Sequence, residues 1–262
     1  MSNFKKLIFL FHLVVFYILI FSCKGYKITA IKSLNINAEN SIDQYEFNEL
    51  ELSAYRDSIS SEMDRVINFS ETDMKVGCPE GLLGNFITDL SLLYIKKELK
   101  EKNINPDFCI LNNGGFRSSL NKGAVHIGDV FQIMPFENYL VILEIQGDQM
   151  MRLISYIHEK SFYNGSRKSG VPVSGIMMKI SSEKINRCFI NTKVFDSAKK
   201  YKVLTTNYLA SGGDQMDFFK DCKLIYNTEL LLRDVIINYI EEIGKNNIKL
   251  NAQLDGRIQI LQ

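Results

Sequence analysis

Residues 109–117 read Cys-Ile-Leu-Asn-Asn-Gly-Gly-Phe-Arg, and they change abruptly from apolar residues to amides, glycines and an arginine. The short, β-prone run at 108–111 predicts a strand that is covered on both faces. Residues 113–115 tolerate a positive φ, so we expect a turn that exposes main-chain N–H groups. Arg117 supplies a five-donor group suited to a phosphate, a carboxylate or sugar hydroxyls. The same pattern is also explained by a glycine turn between two strands with a solvated arginine.

A second strand-like segment, residues 202–204, ends in the same way. It is followed at 205–214 by Thr-Thr-Asn-Tyr-Leu-Ala-Ser-Gly-Gly-Asp, so two segments of the chain end in a double glycine beside a charged residue. Ligands of open α/β sheets bind outside the carboxyl ends of strands. Together the two loops therefore favour a ligand site over two unrelated turns.

Five motifs, in order, resemble the C-terminal, substrate-binding domain of the 5′-nucleotidase family. They are Gly-Asn at 84–85, Asn-Asn-Gly-Gly-Phe-Arg at 112–117, Met-Pro-Phe-Glu-Asn at 134–138, Asn-Tyr-Leu-Ala-Ser-Gly-Gly-Asp at 207–214 and Asp-Gly-Arg-Ile at 255–258. The resemblance runs from about residue 53 to residue 260. Strand and helix patterns interleave along this range, which predicts an α/β domain, and the resemblance implies a mixed sheet with flanking helices.

The resemblance also implies a set of substrate-binding residues. They are Asn112, Gly114, Gly115, Arg117, Phe136, Tyr208, Gly212, Gly213 and Asp214.

The roles that the resemblance implies agree with the chemistry of these side chains. Phe136 and Tyr208 would stack on the two faces of a nucleobase, and Asn112 would donate to the base edge. Asp214 would accept from ribose hydroxyls, and Arg117 would hold ribose or phosphate oxygens. Taken singly, either aromatic residue is equally well explained by core packing.

Two positions depart from the family pattern. Leu82 stands where the family has an arginine that helps to hold the ligand, so one charged contact is missing. Gln215 replaces the glycine that usually follows the aspartate, which predicts a stiffer or reshaped loop.

The chain lacks the residues for two-metal hydrolysis. Full-length 5′-nucleotidases carry an N-terminal metallophosphatase domain whose two metals activate water and stabilise the leaving oxygen. His126 and His158 lie 32 residues apart and outside any ligand motif, so ordinary core or surface histidines are the better interpretation. The Gly-Asp-Gln-Met-Asp run at 213–217 imitates a metal motif, but no histidine accompanies it.

Nucleophilic alternatives are weak as well. The chain contains no Gly-x-Ser-x-Gly elbow, no P-loop and no Gly-x-Gly-x-x-Gly fingerprint. We therefore expect no catalytic residue, cofactor or metal in this chain, with divalent metals held by a separate metallophosphatase chain that acts in trans.

The amino terminus resembles a secretory signal. Lys5 and Lys6 precede an apolar run of residues 7–21, and Ser22 and Cys23 follow, as in a bacterial lipoprotein cleavage box. The run is shorter than the roughly 20 residues that cross a bilayer. We expect a signal peptide at 1–22, lipidation of Cys23, a polar tether at 23–48 and the domain at 49–262. This predicts an exported periplasmic or cell-surface lipoprotein, with an ordinary signal peptide or a retained anchor as the alternatives.

Charge and cysteine content narrow the possible partners. Removing residues 1–22 takes away two lysines and no acidic residue, which changes the formal charge from +1 to −1. A near-neutral surface argues against a nucleic-acid polymer as partner. Export permits disulfides among Cys78, Cys109, Cys188 and Cys222, with three connectivities, although Cys109 is equally well explained as a buried thiol.

Periodicity predicts the remaining elements. An amphipathic helix carries Leu52, Tyr55, Ile59, Met63 and Val66 on one face. A helix at 81–102 begins near Gly84-Asn85, where its free N–H groups suit an anion. The other predicted elements are strands at 66–70, 139–146, 171–181, 187–190 and 257–261, a helical turn at 126–134, and helices at 147–160 and 229–243.

The leading hypothesis is an exported nucleotide-recognition domain of a 5′-nucleotidase-type phosphohydrolase. The first alternative is a non-catalytic surface lipoprotein that binds a nucleoside or nucleotide. The second is a structural surface module whose pocket has decayed, for which Leu82 is the best argument.

The anchor gives a first testable prediction. Cys23→Ala should move the protein from the membrane fraction to the soluble periplasmic or secreted fraction, because the lipid carries most of the membrane affinity. The tether variant Ser33→Ala should fractionate like the wild type. Unchanged fractionation of Cys23→Ala, with Lys5 and Lys6 still present, would identify a retained helix instead.

Overall fold

Helices and strands alternate along the residues that the computed structural model describes, 49–162 and 169–261. The helices are α1 (Glu49–Met63), α2 (Leu82–Glu98), α3 (Ile127–Ile133), α4 (Gly147–Phe162), α5 (Asn207–Ala210) and α6 (Leu232–Lys245). The strands are β1 (Val66–Ser70), β2 (Phe108–Ile110), β3 (Gly123–His126), β4 (Tyr139–Ile145), β5 (Val173–Ser174), β6 (Ile176–Ile180), β7 (Ile185–Ile190), β8 (Lys193–Val194), β9 (Tyr201–Thr206), β10 (Lys223–Leu231) and β11 (Ile258–Ile260). The predicted α/β class is confirmed.

The central sheet has five strands in the order β10-β4-β9-β2-β5. β2 and β9 run parallel, whereas the other neighbours are antiparallel, so the sheet is mixed. A second sheet has the order β11-β6-β7-β8, and β1 pairs with β3. The predicted mixed sheet with flanking helices is therefore confirmed.

Side chains of the central sheet alternate between two apolar cores. Cys109 and Leu204 face the core that α2 and α6 cover, while Phe108 and Val203 face the core that α4 covers. A strand that is buried on both faces has apolar residues at successive positions. This burial explains why residues 108–111 form a continuous apolar run, as the sequence predicted.

Helix α1 corrects one prediction. It ends at Met63, and Val66 opens β1, which pairs with β3 and so leaves the helix axis. Leu52, Tyr55 and Ile59 are 39%, 68% and 44% exposed. The apolar spacing therefore predicted the helix correctly, but of this face only Met63, at the end of the helix, packs against the core, while Leu52, Tyr55 and Ile59 stay exposed.

Two further element boundaries differ from the predictions. Helix α2 begins at Leu82 and ends at Glu98, because residues 99–103 form turns and Asn103 takes a φ of 55°. Residues 229–231, predicted as helix, belong to β10, a strand that periodicity missed. Two register shifts and a φ of 59° at Glu229 interrupt the alternation of β10, which hides the strand pattern.

The predicted signal peptide, Cys23 and the tether lie outside the described residues. Among the helices of the described part, none is long and apolar enough to cross a membrane.

The Asp-Gly-Arg motif at 255–257 joins three parts of the fold. The Arg257 guanidinium donates to both carboxylate oxygens of Asp89 on α2, at 3.0 and 2.9 Å, and to both of Asp255. It also donates to the carbonyl of Val173 in β5 at 2.7 Å. The Arg257 side chain is only 9% exposed. The guanidinium is thus buried and paired with two carboxylates, those of Asp89 and Asp255, whose side chains are 42% and 53% exposed. This arrangement supports a structural role.

Removing the Arg257 guanidinium should destabilise the fold. Arg257→Met should lower the free energy of unfolding by about 2 to 4 kcal/mol, since a buried guanidinium with charged partners is lost. The control Arg187→Met, at an exposed position of β7, should change it by less than about 0.5 kcal/mol. Urea denaturation measures both values, and equal effects would contradict the structural role of Arg257.

The same group predicts a pH dependence. The adjacent Arg257 lowers the pKa of Asp255, against an opposing effect of burial. A lowered pKa in the folded state stabilises the fold above the unfolded value of about 3.9, and this contribution is lost as pH falls through the folded-state pKa. Between about pH 5 and pH 2, stability should therefore fall more steeply in the wild type than in Arg257→Met.

Candidate functional site

A cavity lies at the edge of the central sheet where β2 and β9 end. The two strands are parallel, with Phe108 opposite Val203, so their carboxyl ends meet at one edge. β4 is antiparallel to β9, with Leu140 opposite Thr206, so its beginning lies at the same edge. The topology thus gathers three loops, which follow β2, follow β9 and precede β4.

The loop after β2 is one turn of 3₁₀ helix, Asn113–Gly115. The N–H of Gly115 donates to the carbonyl of Asn112 at 3.0 Å, and that of Phe116 to Asn113 at 3.1 Å. The predicted turn is confirmed, but it does not use the positive φ that these residues tolerate. Glycine at 115 gives room to the Asn112 side chain instead, since a Cβ at that position would lie 3.1 Å from Asn112 Oδ1.

The neighbouring amide, Asn113, has a structural role. It is buried, and its Nδ2 donates to the carbonyls of Gly77 at 3.0 Å and Ser169 at 2.8 Å. These bonds fix the loop to two distant segments, so that Asn112 and the two glycines face the cavity.

Asn207 connects the loop after β9 to the start of β4. Its Oδ1 accepts from the backbone N–H groups of Tyr208 and Tyr139, both at 3.0 Å. The hydroxyl of Thr206 caps α5 by accepting from the N–H of Leu209 at 3.3 Å. These bonds fix the backbone position of Tyr208, just after the end of β9.

Left-handed backbone angles occur in this second loop rather than in the first. Gly212, Asp214 and Gln215 have φ values of 89°, 51° and 68°. A Cβ at Gly212 would also lie 2.3 Å from Lys220 Cε, in a side chain that can move, so the left-handed angle is the main reason for glycine there. Gln215, which stands where the family pattern has glycine, holds an angle that side chains disfavour.

The ring of Tyr208 lies directly on Gly213. A Cβ at Gly213 would come within 2.5 Å of the ring atoms Cε1 and Cζ. The second glycine of the motif therefore sets the position of an aromatic side chain, and neither Gly212 nor Gly213 lines the cavity itself.

Asp214 is held by three side chains. Asn112 Nδ2 donates to its Oδ2, and the Tyr208 hydroxyl donates to its Oδ1 at 3.3 Å. The Tyr156 hydroxyl, on α4, donates to its backbone carbonyl at 2.8 Å. Burial, and to a smaller extent the charge of Asp214, raises the pKa of Tyr156, which keeps that hydroxyl protonated.

Phe136 and Arg117 complete the site from the other loops. The backbone N–H of Arg117 donates to the carbonyl of Ile133 at 2.8 Å, which ties the loop after β2 to the end of α3. The Arg117 guanidinium lies 6.0 Å from the centroid of the Phe136 ring. Phe136 and Tyr208 are 44% and 43% exposed, so both keep an open ring face and neither is a core residue.

Together these residues enclose about 320 Å³, a volume suited to a small molecule. The cavity combines two partly exposed aromatic rings with a carboxylate, a guanidinium and two amides. Its lining residues are Asn112, Gly114, Gly115, Arg117, Phe136, Asn138, Tyr208 and Asp214. Seven of the nine residues predicted from the sequence are among them.

Sequence reasoning did not assign Asn138 to the site. Asn138 is the last residue of the Met-Pro-Phe-Glu-Asn motif and lies directly before β4, and this position is the signal in the sequence that points to it. Since one N–H of Asn112 is already donated to Asp214, Asn138 provides a second amide for a ligand edge.

The groups at the start of α2, where the sequence predicted an anion site, are partly bonded within the protein. The side chain of Asn85 is buried and donates to Glu80 at 3.2 Å and to the Gln253 carbonyl at 3.1 Å. The N–H of Leu83 donates to the Lys75 carbonyl at 3.1 Å. Leu82 packs against the apolar core. The Gly84-Asn85 motif therefore holds the fold together, and it does not line the cavity.

Both histidines of the described part have protein partners. His126 Nδ1 lies 3.1 Å from Asp129 Oδ2, and His158 Nε2 lies 2.8 Å from the Ser181 carbonyl. Asp217, the last residue of the imitated metal motif, pairs with Lys220 at 2.6 Å. Within the described ranges, no group of three or more histidine, cysteine, aspartate or glutamate residues is arranged to hold a metal.

Three of the four cysteines in the described part are not reactive groups of this site. Cys109, Cys188 and Cys222 are free thiols. Burial raises the pKa of Cys109, that of Cys188 to about 12 and that of Cys222 to about 11, with a smaller contribution from Asp221 in the last case. Their thiolate forms, which are the nucleophilic ones, are thus scarce at neutral pH.

Comparison with known proteins identifies relatives. The family model of the 5′-nucleotidase, C-terminal domain, matches residues 61–221, more than half of the chain. A 5′-nucleotidase of Vibrio parahaemolyticus is 27% identical over 135 residues, which cover 52% of this chain and 24% of that protein. The trifunctional nucleotide phosphoesterase of Bacillus subtilis is 27% identical over 194 residues, covering 68% of this chain and 12% of that one.

A solved structure supports the fold. The 5′-nucleotidase precursor of Thermus thermophilus superposes with a TM-score of 0.66 at 24% identity, over 81% of this chain and 43% of the other. The chain thus spans less than half the length of each of these three relatives. The matched range 61–221 contains every residue that lines the cavity.

The contact between Gly213 and Tyr208 gives a prediction. Gly213→Ala should displace the Tyr208 ring and lower the free energy of unfolding by about 1 to 2 kcal/mol, because both hydrogen bonds of the hydroxyl to Asp214 are lost. In a Tyr208→Ala background the same glycine substitution should cost less than about 0.5 kcal/mol. Urea denaturation of the four proteins tests this, and additive effects would show that the ring does not depend on Gly213.

Proposed function

The chain belongs to the family of 5′-nucleotidase C-terminal domains, and from this premise we propose that its cavity binds a nucleoside or nucleotide for a phosphohydrolase. In this proposal the chain supplies substrate recognition, and a separate metallophosphatase chain supplies the dinuclear metal centre. The process it serves is nucleotide catabolism.

The observation that carries the proposal is the composition of the one cavity at the ends of β2 and β9. Phe136 and Tyr208 both line it with an open ring face, and such faces stack on bases of any identity. Asp214 lines the same cavity with its carboxylate held in place. An aromatic pair beside a fixed carboxylate matches the two halves of a nucleoside, a flat base and a hydroxylated sugar.

The remaining lining residues extend this match. Asn112 and Asn138 have amide groups that suit the donors and acceptors of a base edge. Arg117, close to Phe136, suits ribose or phosphate oxygens. Leu82 is uncharged and packs against the apolar core, and Arg117 is the cation that lines this cavity.

The recognition residues cannot by themselves hydrolyse a phosphate ester. Hydrolysis of this kind uses water that is activated on metal, or a nucleophile backed by a base. Among the cavity residues there is no serine, threonine or cysteine nucleophile for the Asp214 carboxylate to activate, and the other residues are amides, aromatic rings, glycines and a guanidinium. The residues present thus bind and orient the substrate, and the partner chain provides the reaction centre.

Binding is tested by calorimetry with the mature chain and a panel of nucleosides and mononucleotides. Phe136→Ala and Tyr208→Ala should each weaken binding by about 1 to 3 kcal/mol through loss of base stacking. Asp214→Ala should weaken the binding of ribonucleosides more than the binding of the free base. Tyr55→Ala, at an exposed position of α1, is the control and should bind like the wild type. Absence of binding to every member at millimolar concentration would refute the proposal.

Catalysis is tested by phosphate release from AMP. The mature chain alone, with or without Zn²⁺, Mn²⁺ or Mg²⁺, should release none above background. Adding a metallophosphatase chain from the same organism should give hydrolysis that falls in Phe136→Ala and Asp214→Ala.

Two results would change this account. If the partner's rate is the same with and without the chain, the alternative of a non-catalytic nucleoside-binding or nucleotide-binding surface lipoprotein becomes the better function. Metal-dependent turnover by the chain alone, persisting after both His126→Ala and His158→Ala, would reveal a catalytic site elsewhere in it.

A further inference from the structure

The hydroxyl of Tyr208 makes two hydrogen bonds to a single residue. It donates to Asp214 Oδ1 at 3.3 Å and accepts from the backbone N–H of Asp214 at 3.2 Å. Asp214 has a φ of 51°, an angle that residues other than glycine rarely adopt. The hydroxyl therefore fixes both the backbone and the carboxylate of a residue whose conformation is intrinsically unfavourable.

The other bonds of Asp214 leave its carboxylate half satisfied. Asn112 donates to Oδ2, so each carboxylate oxygen receives one hydrogen bond from the protein. A carboxylate oxygen accepts about two, so each keeps one open acceptor position. A cis-diol carries two neighbouring O–H donors, one for each oxygen of the carboxylate.

From this geometry we propose that the Tyr208 hydroxyl determines the selectivity of the site for a sugar with two free vicinal hydroxyls. This inference rests on the proposed function, since it concerns the same cavity. Without the hydroxyl, Asp214 keeps its bonds to Asn112 and Tyr156 but loses the bond that orients Oδ1. Binding of a diol must then also order the carboxylate, and the entropy cost of this ordering weakens the affinity. Tyr208 is thus a positioning residue for the diol as well as a stacking residue for the base.

The two roles of Tyr208 can be separated. Its ring lies against Gly213, which remains unchanged in Tyr208→Phe, so the stacking surface is kept while the hydroxyl is removed. A ribonucleoside and its dideoxy analogue carry the same base and differ in the sugar hydroxyls. The ratio of their affinities therefore reports the effect of the Tyr208 hydroxyl on diol binding, separately from base stacking.

The experiment measures the dissociation constants of adenosine and 2′,3′-dideoxyadenosine by calorimetry. The wild type should prefer adenosine by about tenfold or more, and Tyr208→Phe should reduce that ratio by about fivefold to tenfold, mainly by weakening adenosine. Tyr55→Phe, a matched substitution at an exposed position of α1, should keep the wild-type ratio.

A double-mutant cycle with Asp214→Asn tests whether the hydroxyl acts through Asp214. The amide keeps the shape of the side chain and removes its charge, so Asp214→Asn should abolish most of the ratio, and adding Tyr208→Phe should change it no further. If Tyr208→Phe does not fold, Asp214→Asn must still abolish the ratio.

Other outcomes would overturn the inference. One is a Tyr208→Phe variant whose ratio of the two dissociation constants is unchanged, including the case in which its affinities for both ligands fall equally. Another is a wild type that binds both ligands with equal affinity while still binding the base. A wild type that binds neither ligand would refute the proposed function as well, so the two failures are distinguishable.

Discussion

The parallel pairing of β2 with β9, inside a sheet that is covered on both faces, is the constraint on which the site depends. Parallel strands end at the same edge, so segments almost 100 residues apart in the chain deliver their loops to one place. Because both faces of the sheet are packed, the strands cannot slip by one residue without moving their apolar side chains to the wrong core. The hydrophobic cores thus fix the positions of the polar loops.

The loops themselves are ordered by short-range hydrogen bonds and by glycines with different functions. Asn207 ties the loop after β9 to the start of β4, and Asn113 ties the loop after β2 to distant backbone. Gly115 leaves room for Asn112, Gly213 leaves room for the Tyr208 ring, and Gly212 supplies a left-handed backbone angle. The strain at Asp214 is offset by the bonds of its neighbours, which gives a carboxylate arranged before any ligand is bound.

The fold and most of the site could be predicted from the sequence, because local patterns reported them. The apolar run at 108–111 indicated a doubly covered strand, and two double glycines marked the loops that meet at its end. The features that the sequence could not show depend on tertiary contacts or on local irregularities of the backbone. The bulges of β10 hid a strand, Asn85 at the start of α2 is hydrogen-bonded within the protein, and three of the apolar residues of α1 remain exposed. The reason for glycine at 115 and 213 is a side chain that lies against the backbone there, that of Asn112 or Tyr208. Hydrophobic periodicity carries no information about such contacts.

The central claim, that the cavity between the three loops binds a nucleoside, is tested most directly by a crystal structure of the mature chain soaked with adenosine. The account predicts that the adenine ring stacks against Phe136 and Tyr208, with the ribose hydroxyls within hydrogen-bond distance of the Asp214 carboxylate. A base bound away from both rings, or a ribose away from Asp214, would contradict it.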